Sequence, residues 1–170
     1  MRFLNYTSPF FCHNNRSKMS TTINVATAEG SRLVCELAKS VDIVMDNYAA
    51  GKMAKNGIGA DALLAANPRL VVVSMSMAGQ QGPLRGMRGF ASIATGYSGL
   101  ELMVGYPEEG VSTGLLPFGL GDIAMSVQAV IGALAALEHR DRTGKGQFVD
   151  VSQIACSAAS VGGPRLDYQL

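Results

Sequence analysis

Residues 70–75 read LVVVSM, and no other stretch restricts the fold as strongly. A strand with one wet face alternates apolar and polar residues, whereas a continuous valine run needs apolar partners on both sides. That is the pattern of a strand inside a parallel sheet covered by helices on each face. The neighbouring segments fit such an arrangement. Residues 42–46 (DIVMD) and 146–151 (GQFVDV) read as further strands. Ahead of the first, residues 27–41 carry Leu33, Val34, Leu37 and Ala38 at helical spacing, and between 46 and 70 residues 60–66 form a short helix stopped by Asn67-Pro68. Helices alternating with buried strands predict an α/β fold, a parallel sheet with flanking helices.

The second half has a different texture. Ten of the 20 glycines (82, 86, 89, 96, 99, 105, 110, 114, 119 and 121) lie between positions 82 and 121, so this stretch allows close backbone approach to a ligand or another segment. A helix over 90–103 interrupts it. A second helix, over 123–139, is apolar nearly all round (Ile123, Val127, Val130, Ile131, Leu134 and Leu137 with alanines between), which predicts burial. The DRTGKG segment at 141–146 ends it with a basic, Gly-rich turn.

Composition removes several function classes. Fourteen Lys and Arg against 13 Asp and Glu give a net charge of +1, without the clustered positive charge that nucleic acid or an anionic membrane requires. Charged residues make up 16%, below the roughly 25% of ordinary soluble domains, so part of the surface is expected to be covered by other protein. Cys12, Cys35 and Cys156 are odd in number and far apart, as suits reduced thiols. His13 and His139 are the only histidines, and no CxxC, HxxxH or HExxH pattern exists, so no metal site is expected. The N-terminal MRFLNYTSPFF lacks the charge pattern and cleavage site of a signal peptide. The apolar run 123–137 is shorter than the roughly 18–20 residues of a bilayer span and contains Ser126 and Gln128. A cytoplasmic protein is expected. The sequons Asn5-Tyr6-Thr7 and Asn15-Arg16-Ser17 read as chance matches in that setting.

Gly119-Leu120-Gly121 opens like a dinucleotide fingerprint but lacks its third glycine, and no GxxxxGK[ST] loop occurs. Asp122 follows this Gly-rich segment and opens the long helix. The N–H groups and dipole at a helix start stabilise a carboxylate, and equally an oxyanion forming beside it. Spacing alone leaves two readings, a helix cap and a reactive carboxylate.

The stretch SVDIVMDNYAAGKMAKNGIGADALLAANPRLVVVSMSMAGQQGPLRGMRGF, with FGLGDIAMSVQAVIGALAALEHRDRTGKGQFVDVS, strongly resembles the class III CoA-transferases, the formyl-CoA and carnitine CoA-transferase family. The resemblance runs from about Asn15, where NRSK is similar to the family's NRNK or NRGK, to about Ala158. It implies a Rossmann-like large domain, incomplete here. Residues 15–160 would be part of that domain, residues 1–14 an irregular N-terminal segment, and 161–170 a tail leading toward a smaller domain. Family members are more than twice as long and form interlocked dimers, so the resemblance implies a chain cut at both ends and a homodimer for the full-length protein.

The resemblance also implies a chemistry. Asp122 stands where the family has its nucleophile, which attacks an acyl-CoA thioester and passes through an aspartyl-acyl anhydride and an aspartyl-CoA thioester. CoA is thereby moved to a second, small carboxylic acid. Such an aspartate should be ionised, partly desolvated and close to N–H donors. The family's E-N-F segment at the CoA site is Asp46-Asn47-Tyr48 here, and the basic residue eight places after the asparagine is Lys55, followed by Asn56. Ile23 stands where an apolar residue flanks adenine. Ala26 replaces a family lysine, Met87 a basic residue with Arg88 displaced by one, and Ala91 an aspartate. Two alternatives accompany this reading. One is a 2-methylacyl-CoA racemase of the same fold, whose histidine position is Phe90 here. The other is an inactive fragment that binds only CoA or a partner chain.

Overall fold

A computed structural model describes residues 8–106, 108, 110–111 and 119–169. Asn5-Tyr6-Thr7 of the first sequon, Gly114 of the Gly-rich stretch and Leu170 of the tail lie outside the described residues. The chain begins with α1 (Pro9–Asn14), capped by the Ser8 side chain, so a helical turn stands where an irregular segment was expected. Next comes α2 (Ala28–Ala38), whose cap Thr27 accepts from Gly30 N at 3.1 Å. Then follow β1 (Ile43–Asp46), α3 (Lys52–Lys55), α4 (Ala60–Ala66) and β2 (Val71–Ser76). The expected helix over 90–103 is in fact two pieces, α5 (Ala91–Tyr97) and a 3-10 turn (Leu100–Met103). Gly99 between them adopts φ +84, which the right-handed helix cannot accommodate. A short hairpin pairs β3 (Gly105–Tyr106) with β4 (Gly110–Val111). The order ends with α6 (Leu120–Thr143), β5 (Gln147–Ser152), α7 (Gln153–Ala159) and α8 (Gly162–Gln169). The last two helices were not foreseen.

The central sheet is parallel, in the order β1-β2-β5. Leu70, Val71, Val72 and Val73 are all buried, as the valine run predicted. Val72 and Leu70 pack with Ala38 of α2 and Leu63 of α4, while Val71, Val73 and Val151 pack against α6 on the other face. Three layers result, helix over sheet over helix.

α6 departs from expectation in extent and in burial. It runs past 123–139 at both ends, and at 24 residues it is long and apolar enough to cross a bilayer by length and composition, which the shorter run is not. Only one stripe is buried, formed by Gly121, Met125, Ala129, Ala133 and Ala136. These residues recur every three or four positions and are mostly small, so the helix axis comes close to the sheet. A Cβ at Gly132 would lie only 2.8 Å from Val149 Cγ1. Ile123, Val127, Val130, Ile131 and Leu134 face outward, each more than half exposed. Being apolar nearly all round thus does not bury this helix within the described residues. The sheet covers one side only.

This division predicts unequal costs. Leu63 is fully buried, so Leu63→Ala should cost about 2–5 kcal/mol in denaturant titration. Leu134→Ser, on the outward stripe, should stay within about 0.5 kcal/mol in the isolated chain, where nothing among the described residues covers that stripe.

Candidate active site

Asp122 sits in the first turn of α6, three residues after the capping position. The cap is Gly119, in the left-handed conformation (φ 67, ψ 47), and no side chain caps this end. Asp122 therefore stands in the first turn and not at the capping position itself, where its carboxylate still meets the positive end of the helix dipole. Its backbone N donates to Gly119 O at 2.7 Å, closing the turn. A Cβ at Gly119 would lie 2.7 Å from Asp122 Oδ2 and 3.5 Å from the Ala91 Cβ. Glycine is needed there for the positive φ and for the carboxylate.

The other carboxylate oxygen is held from α7. Gln153 Nε2 donates to Asp122 Oδ1 at 2.5 Å. Gln153 is 4% exposed, and α7 is started directly behind β5 by the Ser152 side chain, which accepts from Ala155 N. Gly121 permits the approach. A Cβ there would lie 3.2 Å from Ala91 O and 3.4 Å from both Gln153 Nε2 and Ser157 Oγ. Ser157 is buried, and its hydroxyl has no hydrogen-bond partner among the described residues. Asp122 as a residue is exposed, so the partial desolvation expected of it is not supplied by the described residues.

A second polar group lies at the carboxyl end of the strands, on the opposite face of the sheet. The register aligns Asp46 of β1 with Ser74 of β2 and Asp150 of β5. Gln80 joins the row: its N donates to both Asp150 oxygens at 2.8 and 3.0 Å, and its Nε2 donates to Ser74 Oγ at 2.9 Å. Its Oε1 accepts from Gly51 N at 3.0 Å, which ties in the segment after β1. Asp46, Ser74, Gln80, Met53, Ile58 and Phe148 are among the residues lining a cleft of about 490 Å³ here. Burial pushes the Asp46 carboxyl above its ordinary value, against the bonds from Tyr48 N and Ser74. Open α/β sheets bind ligands at this edge.

None of the residues expected at a CoA site lines this cleft, though Asn47, Tyr48, Lys55 and Asn56 each adjoin a lining residue in sequence. Asn47 and Tyr48 follow β1 and are exposed; Lys55 ends α3 and is exposed; Asn56 is half-buried. Ser31 Oγ donates to Asn56 O at 2.6 Å and to Val25 O at 3.2 Å, which brings the segment holding Ile23 to the end of α3. Ile23 is half-buried and Ala26 exposed. Asp122 belongs to the other face. Ala91, where the family has an aspartate, is buried against the Gly119 turn, while Met87 is half-buried and Arg88 and Phe90 are exposed. Gln153, Ser157, Gln80 and the Asp46–Ser74–Asp150 row were not anticipated. A polar residue directly behind a strand was the available signal for Gln153. The row becomes visible only once the register is known. No disulfide links the three cysteines, and no cluster of metal-ligating side chains occurs among the described residues.

Comparison with known proteins agrees with this architecture. The chain matches the model of CoA-transferase family III over residues 1–169, further at both ends than the 15–158 stretch that carried the resemblance. The chain belongs to that family. It is 38% identical over 136 residues to a succinyl-CoA–D-citramalate CoA-transferase of Chloroflexus aurantiacus, covering 80% of this chain and 33% of that protein. It is 36% identical over 160 residues to a mouse succinyl-CoA:glutarate CoA-transferase, covering 91% and 36%. A CaiB/BaiF family protein from Brucella suis superposes with a TM-score of 0.83 at 30% identity, covering 89% of this chain and 40% of that one. The chain spans about a third of the length of the curated relatives it matches.

Two tests follow from the geometry. Gly119→Ala should cost about 1–2 kcal/mol, from the positive φ alone, and should move the Asp122 carboxylate off Gln153; denaturant titration reads the first effect. For Asp46, a raised folded-state pKa means that the folded chain holds this proton more tightly than the unfolded one, so ionisation costs stability as pH rises past about 4. Asp46→Asn keeps an acceptor for Tyr48 N. It should raise the melting temperature at pH 7 and leave it unchanged near pH 3.

Proposed function

We propose that the protein moves CoA from an acyl-CoA thioester to a free carboxylic acid, with Asp122 as nucleophile. The observation that carries this reading is the Asp122 carboxylate at the first turn of α6, with Oδ1 engaged by Gln153 Nε2. Membership of CoA-transferase family III supports it. In the first step a carboxylate oxygen of Asp122 attacks the acyl carbon. The C–S bond breaks, leaving a mixed anhydride and CoA thiolate. The thiolate then attacks Asp122 Cγ, expelling the donor acid as its carboxylate and forming an aspartyl-CoA thioester. The acceptor carboxylate reverses both steps and leaves as the new acyl-CoA. No proton is gained or lost in this sequence, so an ionised nucleophile and well-placed donors are all the chemistry asks of the chain.

On this reading CoA lies over the carboxyl edge of the sheet, approached by Ile23, Asn47, Tyr48, Lys55 and Asn56. The Lys55 ammonium would meet a phosphate. Succinyl-CoA is the proposed donor and a small dicarboxylic acid the acceptor, by analogy with what the named relatives act on. Residues 15–160 are read as part of the large domain of a cytoplasmic homodimer. The outward apolar stripe of α6 supports a further covering surface.

Exchange of isotopically labelled succinate into succinyl-CoA tests the proposal. The wild-type chain should incorporate label without net hydrolysis, and Asp122→Asn should lose at least about 1,000-fold. Wild-type protein that exchanges no label with succinate, citramalate, malate or glutarate contradicts it.

A further inference from the structure

We infer that Gln153 is a second catalytic residue, whose side-chain amide stabilises negative charge on Asp122 Oδ1 whenever Asp122 Cγ becomes tetrahedral. This inference rests on the nucleophile reading above. Two of the four steps pass through such a centre. When CoA thiolate attacks Cγ of the anhydride, a C–S bond forms and the carbonyl pair moves onto Oδ1. The pair returns as the Cγ–O bond to the donor acid breaks. When the acceptor carboxylate attacks the aspartyl thioester, the same oxygen takes up the charge, and it gives it back as the C–S bond breaks.

Gln153 has the features this task requires. Its Nε2 is already 2.5 Å from Oδ1 in the resting carboxylate, so no rearrangement precedes the reaction. The residue is 4% exposed and fixed at the start of α7, so little water competes for its N–H. An amide donates at every working pH, unlike a histidine or lysine in the same place. One helical turn further, Ser157 Oγ is also buried, lacks a partner among the described residues, and approaches the same side of Gly121. At Gly121 α7 delivers these groups: a Cβ there would touch both at 3.4 Å and would crowd the Ala91 carbonyl at 3.2 Å. The arrangement also divides the carboxylate. Oδ1 is engaged, and Oδ2 at the Gly119 turn is the atom left to attack.

The decisive experiment measures the succinate exchange kinetics of Gln153→Met and Gln153→Glu. Methionine keeps the length and volume of the buried side chain and removes the donor; glutamate keeps the shape and sets a second carboxylate against Asp122. Loss of one oxyanion donor predicts a fall in kcat of about 100-fold for Gln153→Met, with KM for succinyl-CoA within about 3-fold of wild type. Gln153→Glu should fall at least as far, and it decides the matter if the methionine variant does not fold. A folded variant that keeps kcat within about 3-fold, or whose loss lies wholly in KM, overturns the inference while wild-type exchange upholds the nucleophile reading. Wild-type protein without exchange overturns both.

Discussion

The packing of α6 onto the sheet through small side chains determines where everything else in this chain stands. Ala129, Ala133 and Ala136 set the helix close against Val71, Val73 and Val151, and Gly132 leaves room for Val149. With the axis at that distance, the first turn of α6 meets α7 at the end of β5. Gly121 can then admit Gln153 and Ser157. Larger side chains along the stripe would lift the helix away, and the Asp122–Gln153 hydrogen bond would be lost with it. A packing requirement and a chemical one are met by the same choice of small residues.

The two polar centres use one architecture in different ways. Asp122 is presented by a helix start on one face, and it depends on a left-handed glycine and a buried amide. Asp46, Ser74 and Asp150 are presented by strand register at the other face, and Gln80 binds them to the loop that holds Gly51. On the proposed function, a substrate built of a reactive thioester and a long nucleotide-bearing arm would need a site for each part. A parallel sheet with helices on both faces offers two such places along a single edge.

Much of the frame was legible in the sequence, for physical reasons. A continuous valine run has few solutions other than a strand covered on both faces, and Leu70 to Val73 behave accordingly. Asn67-Pro68 fixed the end of α4 to the residue, while the helical spacing after Thr27 placed α2 but ran three residues past its end at Ala38. The outward stripe of α6 was not legible, because a helix apolar on every side does not state which side the sheet will cover. The split of the 90–103 helix turned on a single glycine, Gly99, whose φ no pattern reveals. Asp122 could be singled out as a helix-start carboxylate and, through the family resemblance, as a nucleophile. Its partner could not. Gln153 lies 31 residues away, and only the meeting of α6 with α7 brings the two together. The same holds for Gln80 and Asp150, which are 70 residues apart.

The central claim is that this arrangement makes the Asp122 carboxylate the covalent carrier of CoA. Incubation with succinyl-CoA, a rapid quench and tandem mass spectrometry of the digested chain tests it most directly. The account predicts a hydroxylamine-sensitive CoA adduct on the peptide containing Asp122, absent from Asp122→Asn. An adduct on Asp46, Asp150 or another carboxylate, or its persistence in Asp122→Asn, would contradict it.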